Sequence, residues 1–187
     1  MITDIVIVVA AALLVGVYVS WRAGRVDRLH ARVAFARAAL DAALLRRSSV
    51  AFELASSGLL DPATSVLLAG AAQAARSAAQ ASAAEGGAAQ ADVQPRDLVE
   101  SDLTRALRAA FSQPDFRPSL SGNEGADELL AEVEAAAHQV FLARKFYNDA
   151  VSETRAARRR PLARVLRLAG KAEMPEFFEM DDSLTAE

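Results

Sequence analysis

The sequence predicts an all-α protein: a single N-terminal transmembrane helix followed by an antiparallel, elongated four-helix bundle. Three observations support this. Residues 5–19 carry no charge and are almost wholly apolar. Beyond them, apolar residues recur every three or four positions, which is the spacing of one helix face, and no long stretch alternates with period two. Turn-forming residues interrupt the pattern near 58–62, 85–94 and 114–122, which divides the remainder into four helices.

The apolar segment from Ile5 to Trp21 is about 17 residues long, near the lower limit for a helix that spans the hydrocarbon core. A secretory signal peptide would carry basic residues before this segment and a small-residue cleavage site after it. Here Asp4 precedes it and Trp21-Arg22 closes it. The chain has no cysteine, so a lipid-modified cysteine is excluded. Residues 1–21 are therefore interpreted as an uncleaved anchor, with a cleaved signal peptide as the alternative.

Charge around this segment predicts its orientation. The N-terminal side carries only Asp4, whereas the C-terminal side carries a group of arginines: Arg22, Arg25, Arg28 and Arg32. The positive-inside rule then places the N-terminus outside and the rest of the chain in the cytoplasm, anchored in the plasma membrane. The lipid bilayer is thus an expected partner. Nucleic acid is not, because the net charge is −3 and nucleic-acid-binding domains are usually basic.

The first helix is expected to continue from the anchor to about Leu54. One apolar stripe runs along it, formed by Val26, Leu29, Val33, Ala36, Leu40, Ala43, Val50 and Leu54. Arg47 interrupts that stripe. After it, Gly58 suits a helix C-cap, Asp61 an N-cap and Pro62 the first turn of another helix. These residues predict a tight helical hairpin.

The second helix is predicted from Pro62 to Ala84. Its first half can pack through Val66, Leu67 and Leu68, while its alanine-rich second half either approaches a neighbour through small residues or frays. Glycines and small polar residues at 85–94 predict a linker.

The third helix is predicted from Pro95 to about Ser112. Its expected buried face consists of Leu98, Leu103, Ala106, Leu107 and Phe111. A proline-bracketed loop should follow at 114–120.

The fourth helix is predicted from Glu124 to Arg159, and it contains the stretch ARKFYNDAV at 143–151. Asparagine and aspartate compete with the helical backbone for hydrogen bonds, so their presence in mid-helix predicts a tertiary role. Asp149 is expected to face Arg28 and Arg32. The candidate structural or interaction residues of this stretch are Phe146, Tyr147, Asn148 and Asp149.

ARKFYNDAV resembles the signature of the LemA family of membrane-anchored bacterial proteins. Three further segments resemble that family and follow in its order: Leu44-Leu45-Arg46-Arg47, Asp115-Phe116-Arg117 and Phe177-Phe178-Glu179. The resemblance implies a single-pass anchor and a helical bundle, and it implies no particular reaction. The family usually has Glu-Asn just before the signature, where this chain has Ala137-His138, so interactions of that pair are not transferred.

Arg46 and Arg47 are further candidates for a structural or binding role. In an up-and-down bundle, the part of the fourth helix at the same height as these arginines is near 133–138. Glu134 is therefore expected to pair with one of them. Exposed ion pairs contribute only about 0 to 1 kcal/mol. Such a pair would fix the register of the helices more than stabilise them.

An antiparallel path returns the end of the fourth helix to the membrane. The basic residues that share one helical face beyond it are Arg160, Arg164, Arg167 and Lys171. They either contact an anionic leaflet, at about 1 kcal/mol per basic residue, or form a solvated face. The predicted segments are therefore an anchor at 1–21, a cytoplasmic bundle at 22–160, and an amphipathic segment with an acidic tail at 161–187. The tail from Asp181 to Glu187 is expected to be solvated.

Known catalytic motifs are absent from the sequence. It has no nucleophile elbow, phosphate-binding loop or dinucleotide fingerprint, and His30 and His138 lie far apart. No catalytic, cofactor-binding or metal-binding residue is predicted.

The expected function is a membrane-anchored, non-catalytic scaffold or adaptor with a protein partner or self-association. One alternative is a Nudix-like membrane-bound hydrolase, although the chain lacks the glutamate-rich Nudix motif. The other is a homo-oligomeric assembly protein at the membrane surface.

Overall fold

The computed structural model describes residues 2–84, 95–113, 116, 124–160 and 172–182. They include four helices of 16 residues or more. These are α1 (Ile2–Ser56), α2 (Pro62–Ala84), α3 (Arg96–Phe111) and α4 (Glu124–Arg159). No β-strand occurs in these ranges, which confirms the all-α prediction. The predicted linker at 85–94 lies outside the described residues, as does most of the loop at 114–122.

The hairpin between α1 and α2 is confirmed. Gly58 has a φ of +75°, a backbone conformation that glycine adopts without the steric cost of a Cβ atom. Oδ1 of Asp61 accepts hydrogen bonds from the backbone N–H groups of Ala63 and Thr64, at 3.0 and 3.1 Å, and so caps α2. Hydrogen bonding from the side chain and backbone of Thr64 lowers the pKa of Asp61. Pro62 is the first residue of α2, as predicted.

The chain forms two compact units, and both α1 and α4 contribute to each. The first consists of Met1–Arg37 and Phe146–Phe177, and the second of Ala38–Lys145 and Phe178–Glu187. None of the helices, over the residues described, combines the length and the apolar character needed to cross a membrane. The transmembrane helix at 1–21 and the boundary at 160/161 stay predictions.

In the first unit, α1 and α4 lie side by side and run in opposite directions. Arg32 binds Glu153 at 2.6 Å, and Arg37 lies over the ring of Tyr147 with its guanidinium carbon 5.6 Å from the ring centroid. Residue numbers rise along α1 as they fall along α4, which is the predicted antiparallel arrangement. The residue that pairs with Arg32 is therefore Glu153, one turn after the exposed Asp149 that was expected to face it.

The second unit has a hydrophobic core to which all four helices contribute. Its fully buried leucines include Leu54 of α1, Leu68 of α2, and Leu103 and Leu107 of α3. Val133 and Ala126 of α4 complete it. In this unit α1 and α4 are also joined by the ion pair between Arg46 and Glu132, at 3.2 Å. The predicted contact between the first and fourth helices is confirmed.

Two helix faces differ from those predicted. On α2, Val66 and Leu67 are 72% and 71% exposed, so only Leu68 of that trio is in the core. The alanine-rich half of α2 packs through small side chains, because Ala72, Ala75 and Ala78 are buried. This confirms the first of the two expectations for that half.

The buried face of α3 is rotated relative to the prediction. Leu98 is 53% exposed, and the buried set is Val99, Glu100, Leu103, Thr104, Leu107 and Ala110. The rotation brings two polar residues, Glu100 and Thr104, into the interior. After α3, Phe116 is buried and stacks on Phe111 with ring centroids 5.5 Å apart. That ring contact holds Phe116 against the core.

Residues 172–182 have neither helical nor strand structure. Phe178 and Met180 are buried, at 6% and 8% exposure. Asp181 and Asp182 form ion pairs with Arg108 and Arg144. The prediction that the chain is a solvated tail from Asp181 onward is therefore wrong for its first two residues.

Candidate functional site

The most buried polar cluster of the second unit joins α1 to α3 around Arg47. The guanidinium of Arg47 donates to Oε2 of Glu100 at 2.7 Å, to the Glu100 carbonyl at 3.0 Å and to Oγ1 of Thr104 at 2.8 Å. Thr104 in turn donates to the Glu100 carbonyl at 3.2 Å. The side chains of Arg47 and Glu100 are both 1% exposed.

Helix periodicity explains how these residues meet. Arg47 lies between Leu44 and Ala51 on the stripe that α1 buries, so its long side chain must enter the interior. Glu100 and Thr104 are four residues apart on α3 and therefore share one face. An isolated buried charge is very costly, and a partner on the facing helix removes most of that cost.

A second ion pair lies beside this cluster. Arg96, at the start of α3, donates to Oδ1 of Asp41 on α1 at 2.6 Å. Burial raises the pKa of Glu100, and the nearby charges of Arg47 and Arg96 act against that rise. Over the described residues, the Nε atoms of Arg47 and Arg96 are buried without a hydrogen-bond partner. Positive and negative groups thus alternate across the α1–α3 contact.

The structure gives the two arginines different neighbours. Arg46 forms an exposed ion pair with α4, and its partner there is Glu132. Glu134, the residue proposed from the sequence, is exposed two residues later. Arg47 is buried and pairs with Glu100 on α3. The physical reason is that adjacent helix residues point about 100° apart, so both cannot face the same neighbour.

The ARKFYNDAV stretch of α4 contains one buried aromatic residue. Tyr147 is 5% exposed, and its hydroxyl donates to the carbonyl of Glu176 at 2.8 Å. Phe146 is 61% exposed, Asn148 is half-buried and Asp149 is exposed. Tyr147 therefore gives this stretch a tertiary role, because its hydroxyl bond attaches the backbone of Glu176 to α4.

Two arginines of α4 hold the same segment by its backbone. Arg158 donates to the carbonyls of Glu173 and Ala172, at 2.6 and 2.7 Å. Arg155 donates to the carbonyl of Pro175 at 3.4 Å, and its guanidinium lies over the Phe177 ring, 5.1 Å from the centroid. These side chains bind main-chain oxygens and one aromatic ring, which fixes the path of the segment along α4.

Of the residues predicted to contact a membrane, Arg160 is exposed. The other three, Arg164, Arg167 and Lys171, lie outside the described residues. The membrane contact stays a prediction.

Sequence reasoning missed four residues that form polar tertiary contacts: Glu100, Thr104, Arg108 and Arg144. A signal for the first two exists, since they lie among the apolar residues of α3 and Arg47 interrupts the stripe of α1. No comparable signal identifies Arg108 or Arg144, whose partners lie 73 and 38 residues away.

Within the described part of the chain, no three His, Asp or Glu side chains are grouped as a metal site would require. No protein-family model, no curated protein and no solved structure matches the chain.

Proposed function

We propose that this chain is a membrane-anchored, non-catalytic helical scaffold or adaptor of the LemA type, with its bundle in the cytoplasm. The observation that carries the proposal is the apolar surface of the first part of α1. Large apolar side chains there are 52% to 71% exposed: Val6, Ile7, Val9, Leu13, Leu14 and Val17. Contiguous exposed apolar surface of this kind marks membrane or protein contacts.

The scaffold role is supported by what the charged residues of the bundle do. Arg47 and Arg96 join α1 to α3, Arg46 joins α1 to α4, and Arg155 and Arg158 hold residues 172–177. Each joins neighbouring helices or fixes the position of the C-terminal segment. A helical bundle on a membrane tether is suited to holding partners near the bilayer.

Membrane fractionation tests the anchor. The full chain, expressed in bacteria, should remain in the membrane pellet after an alkaline carbonate wash. A triple variant in which glutamine replaces Val9, Leu13 and Val17 should move to the soluble fraction. Replacing Val66 and Leu67 by glutamine is the matched control, because these residues are equally exposed and apolar but lie on α2. Release of the unaltered chain by carbonate would contradict the proposal.

Reporter fusions after Glu187 test the orientation. A reporter that folds only in the cytoplasm should be active, and a phosphatase that needs export should be inactive. Replacing Arg22, Arg25 and Arg28 by glutamate should weaken this preference, because three of the four arginines beside the anchor would become acidic. Activity of the exported reporter on the unaltered chain would place the bundle outside the cell.

Self-assembly is a second candidate function, favoured by the exposed pair Val66 and Leu67 on α2. Mass photometry of the detergent-solubilised chain should then show a dimer or larger species. The Val66→Gln, Leu67→Gln variant should be monomeric. A monomer in both cases removes this candidate.

A further inference from the structure

Residues 178–182, the FEMDD segment, lie against α3 and α4 in the second unit. Burial alternates along the segment, since Phe178 and Met180 are buried and Glu179 between them is exposed. This period of two is that of an extended chain with one face on a surface. The segment has no helix or strand structure, so side chains on α3 and α4 provide its attachment.

Two arginines bind the acidic end of the segment. The carboxylate of Asp181 accepts two hydrogen bonds from Arg108 of α3, at 2.9 and 3.0 Å, and its backbone N–H donates to Oγ of Ser101 at 3.1 Å. Asp182 accepts from Nε of Arg144 of α4 at 2.6 Å. The side chains of Arg144 and Asp182 are only 25% and 11% exposed, so this pair is shielded from solvent.

These contacts are those by which protein surfaces bind extended peptides. Buried alternate side chains provide apolar contact, and arginine–carboxylate hydrogen bonds fix direction and register. We propose that the surface formed by Ser101, Arg108 and Arg144 is a docking site for an extended acidic peptide of a partner protein. The peptide it fits has two apolar residues separated by one position, followed by two carboxylates.

On this proposal, the FEMDD segment is an internal ligand that occupies the docking site until a partner displaces it. The site deepens the proposed scaffold function, because it is where the bundle would hold a partner. Tethering gives the segment a high effective concentration, so a peptide added to the intact chain competes at a disadvantage. The affinity of the site is therefore visible only when the internal segment is weakened.

Peptide binding to purified full-length chain tests the site. The probe is a fluorescein-labelled peptide with the sequence of residues 175–182, followed by fluorescence anisotropy in detergent. The Asp181→Arg, Asp182→Arg variant should bind it at least about tenfold more tightly than the unaltered chain, because its own segment no longer competes. Binding should weaken as salt rises, since it depends on partly exposed ion pairs.

Two further substitutions in that variant test which arginine binds. Adding Arg108→Asp should reduce peptide affinity by about tenfold or more, as for loss of a charge-assisted contact. Adding Arg105→Asp is the matched control, because Arg105 lies on α3 three residues earlier and pairs locally with Asp102. It should leave the affinity unchanged. Equal loss from both substitutions, or equal peptide binding by the variant and the unaltered chain, would overturn the proposal.

Where the aspartate variant loses its helical circular dichroism, Arg108→Gln replaces it and should also weaken peptide binding. Where it folds, a charge exchange is a second test. The Arg108→Asp chain should bind a peptide carrying arginine at the position of Asp181 more tightly than the original peptide. The reverse preference overturns the proposal. Mixing Arg108→Asp chains with Asp181→Arg chains tests the other occupant: a heterodimer in mass photometry would assign the site to a second copy and overturn the partner-peptide assignment. All these readouts are independent of membrane fractionation, so the two proposals can fail separately.

Discussion

Arg47 of α1 and Glu100 of α3 form an ion pair at 2.7 Å, with both side chains 1% exposed. The desolvation of such a pair offsets most of its attraction, so it contributes little net stability. Its geometry is demanding, however, because Arg47 also donates to the Glu100 carbonyl and to Thr104. Sliding α3 by one residue would leave a buried charge without a partner. The pair therefore selects one register between the two helices.

A double-mutant cycle tests this role. Arg47→Met or Glu100→Leu alone should each lower the free energy of unfolding by about 3–5 kcal/mol, because each leaves an uncompensated buried charge. The double variant should lie close to the unaltered chain. Arg46→Met, which removes an exposed pair, should cost no more than about 1 kcal/mol. Urea unfolding followed by circular dichroism provides the measurement. Additive losses in the double variant would show that the two residues do not act as a pair.

The pH dependence of stability should carry the signature of Glu100. Burial raises its pKa above the ordinary value of 4.5, so the folded chain keeps this proton at pH values where the unfolded chain has released it. Stability from this group is thus fully present below pH 4.5 and is lost as pH rises through the folded pKa. Relative to the Glu100→Gln variant, the unaltered chain should lose free energy of unfolding across that window. Above the window, the stability curves of the two chains should run parallel. The raised pKa would be contradicted if the difference in free energy of unfolding between the two chains stayed constant, to within about the experimental error, from about pH 4 upward.

Tyr147 should contribute through both its ring and its hydroxyl. Tyr147→Ala should destabilise by about 3 kcal/mol, in the range of large-to-small core changes. Tyr147→Phe, which removes only the bond to the Glu176 carbonyl, should cost about 1 kcal/mol. Phe146→Ala is the control, because that neighbour is 61% exposed and a surface change should stay within about 0.5 kcal/mol. Thermal unfolding followed by circular dichroism distinguishes the three. Equal effects of the two alanine variants would place Tyr147 on the surface.

Asp61 should stabilise α2 in its ionised form. Hydrogen bonds from Thr64 hold its pKa below the ordinary value of 3.8, so its stabilising effect is present above that pH and is lost as pH falls through the lowered pKa. Asp61→Ala should lower the melting temperature at neutral pH. Asp61→Asn keeps a capping oxygen, so it should be more stable than Asp61→Ala. It should also remove the fall in stability that protonation of Asp61 causes at acid pH. A melting temperature unchanged by Asp61→Ala would show that the cap contributes nothing.

Much of the fold could be read from local patterns. The hairpin at Gly58, Asp61 and Pro62 has a strong signal, because each residue type suits one special backbone position and few others. The bounds of α2 and α4 follow from proline and from unbroken three-four spacing. In α4, Val133, Val140 and Tyr147 are buried as that spacing predicts. Local backbone preference and helix periodicity act within a few residues, so sequence alone determined these features.

The tertiary structure decided which neighbour each face meets. Arg47 was visible as a break in the α1 stripe, but the pattern could not say whether Arg46 or Arg47 faces α4. The partner of Arg47 is Glu100 of α3. Leu98 and Leu67 look as apolar as the buried leucines, but the rotation of α3 and α2 in the bundle leaves them exposed. The ion pairs of Arg108 and Arg144 join residues far apart in sequence. Periodicity specifies a face but not its rotation or its partner, because those depend on how all four helices pack at once.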